Sequence, residues 1–147
     1  MKAIDNQTLA YVAGLMDGEG SIVIAVSKPS SKNGRKIPSH FLQVGIINTN
    51  REIINWLHDT FGGHISDNSH STSRHNRRPC WAWRIMCNQA KEFLEKIYPF
   101  LKIKKQQAKL AIEFQEKRRG LTGRKSITME QLKEREWYRQ EIRKLTL

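Results

Sequence analysis

The chain has 147 residues and carries 26 basic against 14 acidic side chains, a formal charge of +12 at neutral pH. This length lets one domain bury a core without disulfides or a structural metal, no apolar run reaches the roughly 18 residues of a membrane span, and the N-terminus lacks the apolar segment of a secretory signal. The expectation is one soluble, intracellular domain over residues 1–147, with free, buried thiols at Cys80 and Cys87.

Apolar side chains recur at helical spacing from residue 8 to 17, with Leu9, Val12, Leu15 and Met16 forming a stripe and Asn6 or Thr8 available as N-cap. A β-branched run follows from Ser21 to Val26. The segment "SKPSSKNGRKIPS" breaks it, and "HFLQVGIIN" resumes it, so the pair reads as a long hairpin with a basic tip. Alternation in the second strand sets Leu42, Val44 and Ile46 on a core face, opposite Phe41, Gln43, Gly45 and Ile47. A second helix runs from a cap at Thr49 or Asn50 to a terminator at Gly62, burying Ile53, Ile54, Trp56, Leu57 and Phe61. "HISDN" and "CWAWRIMC" form another strand pair, in which Arg84 falls on the face opposite Trp81, Trp83 and Ile85. A helix from Asn88 ends at Pro99, and another closes at Gly120. A charged last helix, Met129 to Leu145, offers a thin stripe of Leu132, Ile142 and Leu145. The order α-β-β-α-β-β-α with appended helices predicts an α+β fold, an antiparallel sheet with helices on one side and one face free for a ligand.

The charge is concentrated in four places: Lys28, Lys32, Arg35 and Lys36; Arg74, Arg77, Arg78 and Arg84; Lys102, Lys104, Lys105 and Lys109; and Lys117, Arg118, Arg119, Arg124 and Lys125. Any one cluster reads as a solvated face, but four together favour nucleic acid. Asp17 and Glu19 stand apart from this pattern, in a glycine-rich turn between two apolar segments. Ala10, Gly14 and Gly18 recur every four residues with Ala13 beside them, a small-residue stripe that lets a second helix approach at backbone distance. If the neighbour is the same helix of a second copy, two-fold symmetry brings two Glu19 side chains together. Divalent cations make that tolerable, since Mg²⁺ uses few carboxylates and keeps several waters. Read on spacing alone, the two acids fit better as a hydrated turn.

The segment "VAGLMDGEG", Val12 to Gly20, resembles the signature of the LAGLIDADG homing endonucleases at nearly every position, with Val, Met and Glu19 replacing the usual Leu, Ile and last Asp. "PFLKIKKQQAKLAI", Pro99 to Ile112, is similar to the stretch entering the late helix of single-motif members. The resemblance spans about residues 8–118, leaving 119–147 as a C-terminal helical extension. It implies an αββαββα core, two copies of which join through the motif helices at Ala10, Ala13, Gly14 and Asp17, their sheets forming a saddle over the DNA. The resemblance further implies that Glu19, with Gly18, holds the divalent metal, Mg²⁺, and that Asp17 is the more structural acid. Asn48, Arg51 and Lys104 match the family's remaining catalytic positions, with Lys102 competing for the lysine role.

Phosphodiester hydrolysis asks for metal-activated water and stabilised attacking and leaving oxygens, so no histidine base is needed. A double-strand cut by a chain with one motif requires a homodimer, and its target would be a pseudo-palindrome. Base reading is expected from Ser21, Val23, Ala25, Ser27, Gln43, Ser66, Asn68 and Arg84, and phosphate contacts from Lys28, Lys32, Arg35, Lys36, Arg74, Arg77 and Arg78. The rival is a non-cleaving binder of the same fold, an intron RNA maturase or a DNA-binding regulator, with intron RNA as a further partner. A zinc site at His64, His70, His75 and Cys80, and an HNH site at "RHNR", both lack the partners they need. The expected compartment is the cytoplasm or nucleoid, or an organelle such as a chloroplast or mitochondrion.

Overall fold

The computed structural model describes residues 3–30, 32, 37–68, 78–119 and 127–146. The elements run α1 (Asn6–Glu19), β1 (Gly20–Ser27), β2 (Ser39–Asn48), α2 (Arg51–Phe61), β3 (His64–Asp67), β4 (Trp81–Met86), α3 (Cys87–Ile97), a 3₁₀ turn (Tyr98–Phe100), α4 (Lys105–Arg119) and α5 (Met129–Thr146). The architecture is α+β, as the sequence predicts. One four-stranded antiparallel sheet has the order β1-β2-β4-β3.

The register shows why one sheet face is buried. Ile22, Val44 and Ile85 stand side by side across three strands, as do Ile46, Trp83 and Ile65, and this face meets Leu9, Val12, Met16, Leu57, Phe93 and Leu94 from the helices. Trp83 is fully enclosed, its ring 5.3 Å from Phe93 and 6.2 Å from Phe61, and its Nε1–H donates to the Gly62 carbonyl at 2.8 Å. A buried indole is stable only when that donor is satisfied. Gly62 and Gly63 follow α2 at φ +79° and +96°, a sharp reversal in the left-handed region that a side chain would strain. At the β4–α3 junction Cys87 adopts φ +57°.

Several local expectations shift. The cap of α1 is Asp5, whose carboxylate accepts from Thr8 N–H at 2.7 Å, because the helix starts two residues earlier than its apolar stripe. For α2 the cap is Asn50. Neither cysteine is buried; both are half-exposed and neither forms a disulfide. On α5 the buried residues are Tyr138 and Ile142, while Leu132 is half-buried and Leu145 exposed. The tyrosine ring packs 6.0 Å from Phe114 while its hydroxyl reaches Glu113, so an amphipathic residue covers the α4 contact where an aliphatic one was expected. α5 packs on both α4 and β1. Its Glu136 accepts from the buried His40 on β2 at 2.8 Å, and this contact, followed by its amide and guanidinium partners Gln140 and Arg139, outweighs desolvation and draws the carboxyl pKa down to about 2. Among the described residues no helix is long and apolar enough to cross a membrane.

Candidate functional site

Helix α1 ends where β1 begins, and the β1–β2 register pairs Gly20 with Ile46. Continuing that register past Gly20 carries the end of β2 alongside the last turn of α1. Asn48 meets Glu19 there: its Nδ2 donates to the Glu19 carboxylate at 2.5 Å, and its Oδ1 accepts from Asn50 N–H at 2.7 Å. The second bond fixes the amide orientation, so the amino group is committed to the carboxylate. Glu19 itself is exposed, its second oxygen open to solvent or a ligand.

Asp17 and Lys104 form the other half of the corner. The Asp17 carboxylate accepts from Lys102 N–H at 2.8 Å and from Lys104 N–H at 2.9 Å, at the point where Lys104 O receives the first α4 bond, from Ala108 N–H. Lys104 Nζ in turn donates to the Asp17 carbonyl at 2.7 Å. A carboxylate thus sits at the positive end of α4 and an ammonium at the negative end of α1, each neutralising an end whose backbone groups lack helical partners. Desolvation raises the Asp17 pKa, but the N–H groups of Lys102, Lys104 and Ile103, with the Lys104 charge, outweigh it and hold the carboxyl below its ordinary value. Of the two candidate lysines, Lys104 brings its ammonium to the end of the motif helix, whereas Lys102 is exposed and contributes its backbone N–H.

Two residues expected at a subunit interface are engaged within their own chain. Ala13 is 0 % exposed, enclosed by the core on the inner side of α1, because it lies one residue from Val12 and three from Met16. Asp17 is turned toward Lys102 and Lys104. The open stripe of α1 is Ala10, Gly14 and Gly18, flanked by Tyr11 at 57 % exposure with its ring edge-on to Trp56. A Cβ added at Gly14 or Gly18 would meet nothing within 4 Å. The Arg51 Nε donates to Asn55, and its guanidinium lies 5.4 Å over the ring of Trp81, the cross-strand partner of Asn48.

The open sheet face carries the expected residues in rows. Ser21, Gly45, Arg84 and His64 align across four strands, Val23, Gln43 and Met86 across three, and Ala25 pairs with Phe41. Ser27 pairs with Ser39 at the β1 end, Ser66 lies beside Ala82, and Asn68 follows β3 with its N–H on Cys80 O. Arg84 Nη1 donates to Ser66 Oγ at 3.1 Å, and a Cβ at Gly45 would lie 3.1 Å from Arg84 Cγ, so the glycine leaves room for the arginine to extend across the sheet. Phe41, Ile47, His64 and Met86 share this face and were not among the expected contacts, although their parity with Gln43 and Arg84 was available in the sequence. Lys28, Lys32 and Arg78 are exposed, while Arg35, Lys36, Arg74 and Arg77, with His70 and His75, lie outside the described residues.

The family description "LAGLIDADG endonuclease" matches residues 12–118, which takes in the Asp17–Lys104 junction, Glu19, Asn48 and the whole sheet. The chain belongs to the LAGLIDADG endonuclease family. Solved LAGLIDADG structures share the fold. The homing endonuclease I-CvuI, in complex with the I-CreI target and Mg, superposes with a TM-score of 0.74 at 17 % identity, over 95 % of this chain and 82 % of that one. The archaeal intron-encoded I-Vdi141I, complexed with DNA, gives 0.73 at 17 % identity, over 95 % and 84 %. For I-SmaMI bound to cleaved DNA the TM-score is 0.64 at 19 % identity, and the match covers 99 % of this chain but 48 % of that one. Comparison with curated proteins gives no match.

The donor set at this corner suits a hard divalent cation. Glu19 and the Gly18 carbonyl are oxygen donors at an exposed edge, and Mg²⁺ takes one or two carboxylates with water and phosphate oxygens completing its shell. Among the described residues no group of three or more His, Cys, Asp or Glu gathers.

Proposed function

We propose that this LAGLIDADG chain acts as a homodimeric, site-specific homing endonuclease that cuts both strands of a long pseudo-palindromic DNA site. The observation that carries the reading is the Glu19–Asn48 pair, seated with Lys104 at the exposed end of a helix whose outer stripe is Ala10, Gly14 and Gly18. Two such helices packed through that stripe place two Glu19 carboxylates at one centre. The half-length coverage of I-SmaMI, a longer chain of the same fold, agrees with two copies of this chain forming the working unit.

Glu19 and Gly18 hold the divalent metal, Mg²⁺, which when bound lowers the pKa of water and stabilises charge on the phosphate. Asn48 fixes the Glu19 carboxylate and offers a polar edge to solvent at the scissile phosphate. Lys104, immobilised by Asp17, supplies positive potential beside the same phosphate. Arg84 and Gln43 are built to read base edges, arginine favouring guanine and glutamine adenine. Lys28, Lys32 and Arg78 contact phosphates, which adds affinity without sequence information. The rival, a binder that does not cut, leaves the exposed Glu19 carboxylate and its dedicated amide without a task.

The test is cleavage of a randomised duplex library, and of the insertion junction if the reading frame lies in an intron, with Mg²⁺ and with chelator. Discrete double-strand products only with Mg²⁺ support the proposal. Specific binding without cleavage under any divalent metal would establish the rival.

A further inference from the structure

At the end of α4 remote from Lys104, about 20 Å along the helix at 1.5 Å per residue, a cleft of about 30 Å³ opens against α5. Phe114 and Tyr138 wall it, and Lys117, Arg118, Glu134 and Arg135 line its rim. Lys117 is satisfied, since its Nζ donates to Glu134 Oε1 and lies 5.4 Å from the Tyr138 ring centroid. Arg118 is not: its Nη1 is buried and has no hydrogen-bond partner among the described residues. Beside it Arg135 is desolvated, and after desolvation the Arg118 charge is the next cause that lowers its pKa, with Glu134 only partly offsetting both.

Among the described residues that line the cleft, three cations therefore share one carboxylate, and that carboxylate is bonded to the lysine. The terminal carbonyls of α4 favour a cation in the last turn, which accounts for one guanidinium but not for a second placed against it. A guanidinium N–H removed from water needs an acceptor, and paired like charges need an anion. One group supplies both, an oxyanion offering two oxygens to guanidinium forks, the geometry in which arginine binds phosphate.

We propose that the α4–α5 cleft is a binding site for a phosphate oxyanion, with Arg118 and Arg135 as its donors. Free phosphate and a phosphodiester of bound DNA present the same non-bridging oxygens. The site lies away from the Glu19 corner and does not depend on the nuclease reading.

The experiment uses the full chain, as wild type, Arg135→Gln and the charge-conserving Arg118→Lys. Thermal melts compare sodium phosphate with sodium chloride at equal ionic strength. Wild type gains about 3 °C in phosphate, and both variants lose that gain. Without phosphate Arg135→Gln melts no lower than wild type, because the repulsion from Arg118 has been removed; a purely structural arginine would lower it. Non-specific duplex binding across a salt series separates the sources. A backbone phosphate predicts that the slope of log K against log salt falls by about 1 in Arg135→Gln, whereas free phosphate leaves the slope unchanged. The proposal is overturned if neither the phosphate response nor the salt slope distinguishes the variants from wild type.

Discussion

Gly14 sits inside α1 on its exposed side, and a side chain there meets nothing in its own chain. Glycine in a helix interior costs about 1 kcal/mol against alanine, with leucine only slightly behind alanine. For an isolated subunit Gly14→Leu should therefore stabilise the fold by roughly that amount. In a dimer joined through α1 the sign reverses, because four heavy atoms enter a backbone-distance contact at each of two symmetry-related positions. Overpacking costs about 1–3 kcal/mol per site, so the dimer loses about 2–6 kcal/mol and its dissociation constant rises by about 30-fold or more. Sedimentation velocity over roughly 0.1 to 50 µM, with thermal melts at the lowest concentration, reads both effects. The expected outcome is a monomer that melts higher than wild-type subunits and has lost double-strand cleavage. A Gly14→Leu protein that dimerises with wild-type affinity, or a wild type that cuts both strands as a monomer, would refute the reasoning.

Asp17→Asn keeps one acceptor but loses the charge facing α4, and should cost about 1–2 kcal/mol in urea unfolding; a loss below about 0.3 kcal/mol would show that the junction is not held electrostatically. Asp17 and Glu136 both have folded pKa values depressed from the ordinary 3.8 and 4.5, Glu136 to about 2. Their contributions are complete above pH 4.5 and drain away as pH falls toward 2, so wild-type urea midpoints should drop across that window and those of Asp17→Asn with Glu136→Gln should drop less. Gly63→Ala, at φ +96° with its new carbon falling on the Ile85 side chain and the Arg84 carbonyl, should cost at least about 2 kcal/mol in the same assay. Arg84→Gln should relax base preference at one position per half-site by about 1–3 kcal/mol, measured by selection from the library; a uniform loss of affinity would place Arg84 on phosphate.

Patterns set by near neighbours in sequence were legible without the structure. Period-two alternation placed Arg84 opposite Trp83, and the 3.6-residue stripe of α2 with its Gly62 stop agrees with Arg51–Phe61. Contacts across long stretches of chain were not legible, because periodicity says which face is apolar and nothing about what covers it. Ala13 looked like a member of a small-residue stripe, yet the turn of the helix carries it to the core side. His40 and Glu136 are 96 residues apart and meet only because α5 closes on the β1–β2 hairpin. The Asp17 carboxylate read as a turn acid or an interface residue, and its task of capping α4 depends on a segment 85 residues downstream. Arg51 sits one residue past an Asn cap, which fixes its place on α2, but its preference for the Trp81 face is a tertiary choice.

The central claim is that the Glu19 carboxylate, held by Asn48, is the group on which strand scission depends. Glu19→Gln preserves size and the amide contact while removing the charge, so paired binding and cleavage assays on one duplex target isolate it. Binding is expected within about 3-fold of wild type, under half a power of ten in affinity, with no detectable cleavage with Mg²⁺. Cleavage by Glu19→Gln at the wild-type rate would contradict it.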